Sequence, residues 1–295
     1  MLYSSKNNVS PNKKKISIVA LGILVILLCG FVIWQSAFER LAGDTPATSL
    51  LASISQTTMK PSTQMIHVPI LIYHSVAAYG SGMKPSVKEY TLPPADLDKE
   101  LSYLRDNGYT VISFDSLIHA MTDVSITLPP KSVVLTFDDG WEDQYTKAFP
   151  VLKKYGDTAT FFIFTNGPNS GKPDFITWKQ LKKMLDAGMD IESHSVSHPY
   201  LFAITDQAAL DKEIKTSREI ITLHLGKTPD LFAYPFGEYS AAAIATIKSA
   251  GYIAARADLG WPIKQTVFAT TTDALYKLNG IQMTTDFNRF LMSLR

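Results

Sequence analysis

The sequence predicts an α/β domain, a barrel built from repeated β/α units, on three observations. Short β-branched or aromatic runs alternate with amphipathic stretches, those stretches tend to end at glycine, and clusters of Asp and His follow directly on two of the runs. Strands alternating with helices of about 10 to 20 residues argue for a parallel sheet with crossover helices. With this many units in one domain, a closed barrel is favoured over an open sheet. Active sites in such barrels lie where strands end and loops begin, which is where the polar clusters fall.

Ahead of the barrel, residues 1–15 carry Lys6, Lys13, Lys14 and Lys15 and no acidic residue. The unbroken apolar run 16–34, from Ile16 to Trp34, follows. At a rise of about 1.5 Å per residue, a run of this length spans roughly the 30 Å hydrocarbon core of a bilayer. Lysines before such a run stay cytoplasmic, so 16–34 reads as a transmembrane anchor with everything after it translocated. A cleaved signal peptide is the alternative, and the domain is then secreted. The apolar core of such a peptide is normally about 7–15 residues, and Ser36-Ala37-Phe38 is a poor cleavage site. Cys29, the only cysteine, lies inside the run and reads as one more apolar anchor residue, since Leu28 before it is too large for lipoprotein cleavage. The exported part therefore has no disulfide. Lys+Arg number 28 against Asp+Glu 27, which gives no basis for a nucleic-acid partner; the basic cluster is explained by membrane orientation. No protein partner is legible. Residues 35–65, rich in Ser, Thr, Ala and Gln, read as a flexible stalk. Residues 66–295 are long enough for one large domain, and a chain that is 46% apolar can fill its core.

Within that domain Val68 to Tyr73 reads as the first strand, then Asp96 to Asn107 as a helix stopped by Gly108 and Tyr109 to Phe114 as a strand. Ser132 to Phe137 is a strand, Trp141 to Tyr155 a helix stopped at Gly156, and Ala159 to Phe164 a strand. Thr177 to Ala187 is a helix with Thr177 as its N-cap and Gly188 just past its end. Met189 to Glu192 is a strand, Asp206 to Leu225 a helix closed by Gly226, Leu231 to Tyr234 a strand, and Ala241 to Ala250 a helix closed by Gly251. Tyr252 to Ala257 and Tyr276 to Met283 read as the last strands and Asp286 to Leu294 as the last helix.

The chemistry sits at strand ends. The run from Val133 to Phe137 is a buried strand by composition and delivers Asp138-Asp139-Gly140. Two adjacent carboxylates repel unless a cation or hydrogen bonds offset them; plain Asp-Gly turn chemistry is the competing explanation. The next cluster, His194-Ser195-Val196-Ser197-His198, again follows a strand. Two histidines at i and i+4 can face one ion if a helical turn follows the strand. Two imidazoles and one carboxylate with open positions form a hydrolytic metal pattern. Glu192, two residues earlier, reads as a structural carboxylate in a salt bridge or facing solvent.

Thr136-Phe137-Asp138-Asp139-Gly140 and His194-Ser195-Val196-Ser197-His198 resemble the first two motifs of the NodB-homology polysaccharide deacetylases, carbohydrate esterase family 4. Ala233-Tyr234-Pro235-Phe236-Gly237 resembles their third. The resemblance implies a distorted barrel of seven β/α units. It also implies one divalent metal, zinc foremost with cobalt or nickel as substitutes, held by Asp139, His194 and His198, with Asp138 as the base and the Phe236 backbone N–H facing the oxyanion. Most of the family takes its proton donor from a histidine near the C-terminal end of the domain. Here no histidine follows His224, which lies in an expected helix. His74, directly after the first strand, resembles instead the circularly permuted branch that includes poly-β-1,6-N-acetylglucosamine deacetylases, and is the expected acid. His67 and His119 have no motif around them. Many members carry an arginine where Ala233 stands, pairing with the base; Arg256, at the end of another expected strand, is the candidate to replace it. A further arginine in a Leu-Pro-Arg-Ile context has no counterpart at Leu278-Asn279-Gly280-Ile281. Trp178, Tyr200, Tyr239 and Trp261 are candidate sugar-stacking residues.

The expected function is a membrane-anchored, metal-dependent N-deacetylase of an acetylated polysaccharide containing N-acetylglucosamine. Exopolysaccharide poly-N-acetylglucosamine comes first as substrate, peptidoglycan second and chitin oligomers third. The alternatives are a noncatalytic carbohydrate-binding protein with the same fold and an O-acetyl esterase of xylan-like polymers.

Overall fold

The computed structural model describes residues 68–123, 125–258 and 272–294. The expected anchor at 16–34 and stalk at 35–65 lie outside these residues, as do His67 and Trp261. Among the described residues no helix is long and apolar enough to cross a membrane.

Among the described residues nine strands form one sheet: β1 (Ile70–Tyr73), β2 (Thr110–Val111), β3 (Ser132–Asp139), β4 (Thr160–Ile163), β5 (Asp190–Ser193), β6 (Leu231–Ala233), β7 (Ala254–Ala257), β8 (Leu278–Asn279) and β9 (Ile281–Gln282). All pairings are parallel, in the order β8-β7-β6-β5-β4-β3-β1-β9, with β2 added on β3. The two ends of the eight-strand path are halves of one stretch, separated only by Gly280. The Gly280 N–H donates to the Ala257 carbonyl on the β7 side at 2.9 Å, and the Met283 N–H donates to the Ile72 carbonyl on the β1 side at 2.8 Å. The stretch changes neighbours at Gly280, where a Cβ would collide with the Ile72 side chain. The sheet is thereby a near-closed barrel, with β8 and β9 together as its seventh unit.

Period-two alternation decides what fills it. Ile70, Val134, Phe162, Leu231, Ala233, Ala254 and Leu278 share one core cluster. Their neighbours Leu71, Leu135, Phe161 and Ile191 belong to a second cluster, and Phe232 and Ala255 to a third, both packed under helices. The first set is the barrel interior, filled by side chains as a barrel this narrow must be. Helix α1 (Pro85–Glu89) lies in the loop after β1, and α2 (Pro94–Asp106) follows. Tyr109 to Phe114 is not one strand: β2 stops at Val111 and α3 (Phe114–Thr122) begins, because the Ser113 hydroxyl caps it by accepting the Ser116 N–H at 3.0 Å. The stretch expected as a helix from Trp141 is a π-helical turn, Gln144–Ala148, leading into α4 (Phe149–Tyr155). A short α5 (Asn166–Asn169) follows β4. Helix α6 (Trp178–Asp186) starts at a capping box between Thr177 and Gln180, and α7 (Gln207–Leu225) starts at Asp206 and ends at left-handed Gly226. Helices α8 (Ala241–Ser249) and α9 (Phe287–Ser293) fall within the expected spans. Tyr276 to Met283 opens with a 3-10 turn, Ala274–Lys277, before β8.

Candidate metal centre

The polar strand ends meet at one rim of the barrel. They line a cavity of about 390 Å³ that includes His74, Asp138, Asp139, His194, His198 and Arg256. One ligand atom each from Asp139, His194 and His198 lie within 4.8 Å of one another. Asp139 Oδ1 is 3.6 Å from His194 Nε2 and 3.3 Å from His198 Nε2. The histidines do not sit on a helical turn, as their spacing suggested. They converge through a loop in which Ser195 and His198 take left-handed backbone, φ 76° and 59°. Five described non-glycine residues have positive φ, and Asp139 (78°) and Phe236 (60°) join those two at this site. Each such residue costs about 1–3 kcal/mol and persists only where the surroundings over-determine it. The hydrogen bonds around the loop do so.

Each of these groups has a partner that fixes it. His194 Nδ1 lies 2.8 Å from the Ala233 carbonyl. A carbonyl only accepts, so the proton resides on Nδ1 and the Nε2 lone pair faces the cluster. Burial lowers the His194 pKa to about 4, keeping the ring neutral at pH 7. Burial alone would raise Asp139, but the His198, His74 and His194 imidazoles outweigh it and hold the carboxylate far below its ordinary range. Trp141 Nε1 donates to Asp139 Oδ2 at 2.9 Å, turning Oδ1 toward the imidazoles. Glu213 on α7 accepts from the Val196 N–H (3.1 Å), the Ser197 N–H (2.8 Å) and the Ser197 hydroxyl (2.7 Å), and Ser195 Oγ accepts from the His198 N–H at 2.9 Å. Neither Trp141 nor Glu213 was singled out by sequence reasoning. Glu213 had a signal, an acid in the buried stripe Leu210, Ile214, Ser217 and Ile221 of an amphipathic helix.

Asp139 Oδ1 is buried and makes no hydrogen bond among the described residues, although it faces two imidazole nitrogens. A nitrogen–nitrogen–oxygen donor set with such an oxygen fits a divalent cation.

Asp138 and His74 flank this cluster, with His74 Nε2 4.0 Å from Asp138 Oδ2. Arg256 Nη2 contacts Asp138 Oδ1 at 2.6 Å and Oδ2 at 2.5 Å, and both side chains are buried. β7 and β3 are not neighbours, so this ion pair crosses the barrel interior. Ala233 and Arg256 are register partners on β6 and β7. The arginine missing at Ala233 is thus supplied one strand over, where the small Ala233 leaves room for it. Phe236 lines the cavity, and its ring stands edge-on to His198 and stacks on half-exposed Tyr200 at 3.8 Å. Gly237 packs so closely on the Asp258 backbone that any Cβ there would collide with it.

Tyr200 does not itself line the cavity, and neither do the stacking candidates Trp178 and Tyr239. Trp178 stacks on His224 at 4.2 Å and donates to Asn169, away from the cavity lining. Tyr239 leans on Tyr234 and also does not line the cavity. Glu192 is buried against Lys227 and accepts the Leu231 N–H at 2.7 Å, a structural carboxylate as expected. His119 is exposed on α3 and His224 on α7.

Residues 125–255 match the family model of polysaccharide deacetylases; the match begins after β1 and so excludes His74. A Bacillus subtilis protein named as a polysaccharide deacetylase, YxkH, is 31% identical over 185 residues, 63% of this chain and 62% of that one. The poly-β-1,6-N-acetyl-D-glucosamine N-deacetylase of Staphylococcus aureus is 26% identical over 176 residues, 56% of this chain. The aligned stretches span only 62% and 60% of the length of these two curated relatives. Among solved structures, the Streptococcus pyogenes deacetylase PplD in complex with acetate matches with a TM-score of 0.69 at 26% identity, covering 79% of this chain and 100% of that one. Motifs, barrel and family match agree: the chain contains a polysaccharide deacetylase domain of the NodB type.

Proposed function

We propose that this chain is a metal-dependent polysaccharide N-deacetylase, tethered outside the cytoplasmic membrane by residues 16–34. It removes acetyl groups from polymers of N-acetylglucosamine. The observation that carries this reading is the Asp139, His194 and His198 cluster with Asp138 and His74 4.0 Å apart beside it.

Asp139, His194 and His198 would hold the metal. Its chemistry there would be to polarise the acetamide carbonyl and make water acidic enough to be deprotonated near neutral pH. Asp138 takes the proton of the attacking water, its carboxylate held in orientation by Arg256. The Phe236 N–H, presented by left-handed backbone at the cavity wall, donates to the carbonyl oxygen as charge develops on it. His74 then protonates the leaving amine, without which amide cleavage stalls because an amide anion leaves poorly. The exposed Tyr200 ring beside Phe236 offers an apolar face to a neighbouring sugar.

Poly-β-1,6-N-acetylglucosamine is the first-choice polymer and peptidoglycan the second. Two things support the order: a relative named for the β-1,6 polymer, and a proton donor directly after the first strand of the domain. The test is acetate release from β-1,6- and β-1,4-linked N-acetylglucosamine oligomers by the zinc-loaded protein. Release that stops on chelation and returns with zinc is expected, fastest on the β-1,6 series. No metal-dependent release on either series would overturn the reading.

A further inference from the structure

The residues immediately after the Asp138-Asp139-Gly140-Trp141 turn reach both flanks of the site without touching the cavity. Gln144 is fully buried and opens the π-helical turn, a local widening of the helix that is frequent at functional sites. Its Nε2 donates to the His74 carbonyl at 3.0 Å and, in a closer contact, to the Asp138 carbonyl. One amide nitrogen thus ties the ends of β1 and β3 together at the two residues whose side chains flank the metal cluster. Asp143 extends the tie. Its carboxylate accepts from the Ser75 hydroxyl at 2.5 Å and the Val76 N–H at 3.0 Å, the two residues that follow His74.

His74 and Asp138 depend on this tie unequally. Both oxygens of Asp138 are held by Arg256. His74 Nδ1 is buried and has no hydrogen-bond partner among the described residues, and its ring meets the Tyr90 ring edge-on with centroids 5.1 Å apart. A ring contact limits tilt but not rotation about the side-chain axis. The backbone therefore sets where His74 stands.

We propose that Asp143 and Gln144 are positioning residues that fix the proton donor His74 against the base Asp138, a role that rests on the deacetylase reading. The prediction is selective. An N-acetylglucosamine oligomer needs its leaving amine protonated, whereas the nitrophenolate of p-nitrophenyl acetate departs without a proton. In the full zinc-loaded chain, Gln144→Met keeps the side-chain volume and loses the donor. Its kcat on the oligomer is expected to fall by about tenfold or more with KM within about twofold, while ester turnover falls less than about threefold. Equal losses on both substrates, or unchanged turnover on the oligomer, would overturn the proposal.

A crystal structure of the Gln144→Met variant gives a readout independent of turnover. The His74 Nε2–Asp138 Oδ2 separation, 4.0 Å here, is expected to lengthen by about 1 Å, a displacement large enough to matter for catalysis. The 3.3 Å between Asp139 and His198 should stay. An unchanged His74–Asp138 separation would also overturn the proposal. If the unsubstituted chain cleaves neither substrate, the deacetylase reading falls, and this separation alone decides the role of Gln144.

Discussion

Arg256 offers the sharpest prediction, because among the described residues Asp138 is the one carboxylate it pairs with. Its Nη2 touches both oxygens of Asp138 across the barrel, and the two residues are 1% and 4% exposed. Arg256→Met removes the cation and leaves a carboxylate buried without it. The expected cost is about 3–5 kcal/mol, most of it the penalty of an uncompensated charge rather than the worth of the pair. That cost is measured by denaturant unfolding in the presence of a chelator, since a bound divalent cation would itself offset part of the charge. Pairing the change with Asp138→Asn removes the orphaned charge, so the double variant should recover more than half of the loss. On acetate release, Arg256→Met should lower kcat about 100-fold through misplacement of the base. The ceiling is the effect of losing a general base altogether, about 10² to 10⁴-fold. The double variant should be no slower than Asp138→Asn alone, because the arginine acts only through that carboxylate. One nitrogen rather than a two-pronged fork makes both contacts, so Arg256→Lys should recover part of the turnover. Wild-type stability in chelator together with wild-type turnover in Arg256→Met would refute the reasoning, as would losses that simply add in the double variant.

Three further outcomes follow from the same geometry. Trp141→Phe deletes the donor on Asp139 Oδ2 and should weaken zinc binding about tenfold, read by competition with a chromophoric chelator. Glu213→Gln loses acceptor capacity for three donors of the histidine loop; zinc affinity should drop by a similar factor and unfolding free energy by about 1–3 kcal/mol. Glu100 on α2 is buried against the Tyr73 hydroxyl, and burial raises its carboxyl from 4.5 to about 8 despite that hydrogen bond. Between those values the folded chain holds a proton that the unfolded chain has released, so stability should fall as pH rises through this window. The slope approaches about 1.4 kcal/mol per pH unit, and Glu100→Gln should flatten it in urea titrations at pH 5, 6, 7 and 8.

The fold was legible where the period of the side chains and the terminators agreed. The buried strand up to Phe137, the Thr177 cap and Gly226 each carried a local signal that the tertiary structure had no reason to override. It was illegible where a single residue redirected the chain. Ser113 starts a helix inside what its β-branched neighbours present as a strand, and Gly280 splits one apolar run between two partners. The Asp139, His194 and His198 cluster was readable because each residue stands in a contiguous motif at a strand end. Arg256 could be suspected only as a polar residue at the end of an apolar strand, since its pairing with Asp138 spans 118 positions. Gln144 was invisible: its partners are backbone carbonyls, which have no sequence signature. The helical turn expected for His194 and His198 was replaced by left-handed backbone at Ser195 and His198, which spacing alone does not encode.

Whether Asp138 works beside a metal held by Asp139, His194 and His198 is decided by one paired measurement. Acetate release from N-acetylglucosamine oligomers is followed for the unsubstituted chain and Asp138→Asn, each with its bound zinc quantified. One zinc per chain is expected in both, with acetate release only from the unsubstituted chain. Full release by Asp138→Asn, or no release from the zinc-loaded unsubstituted chain, would contradict it.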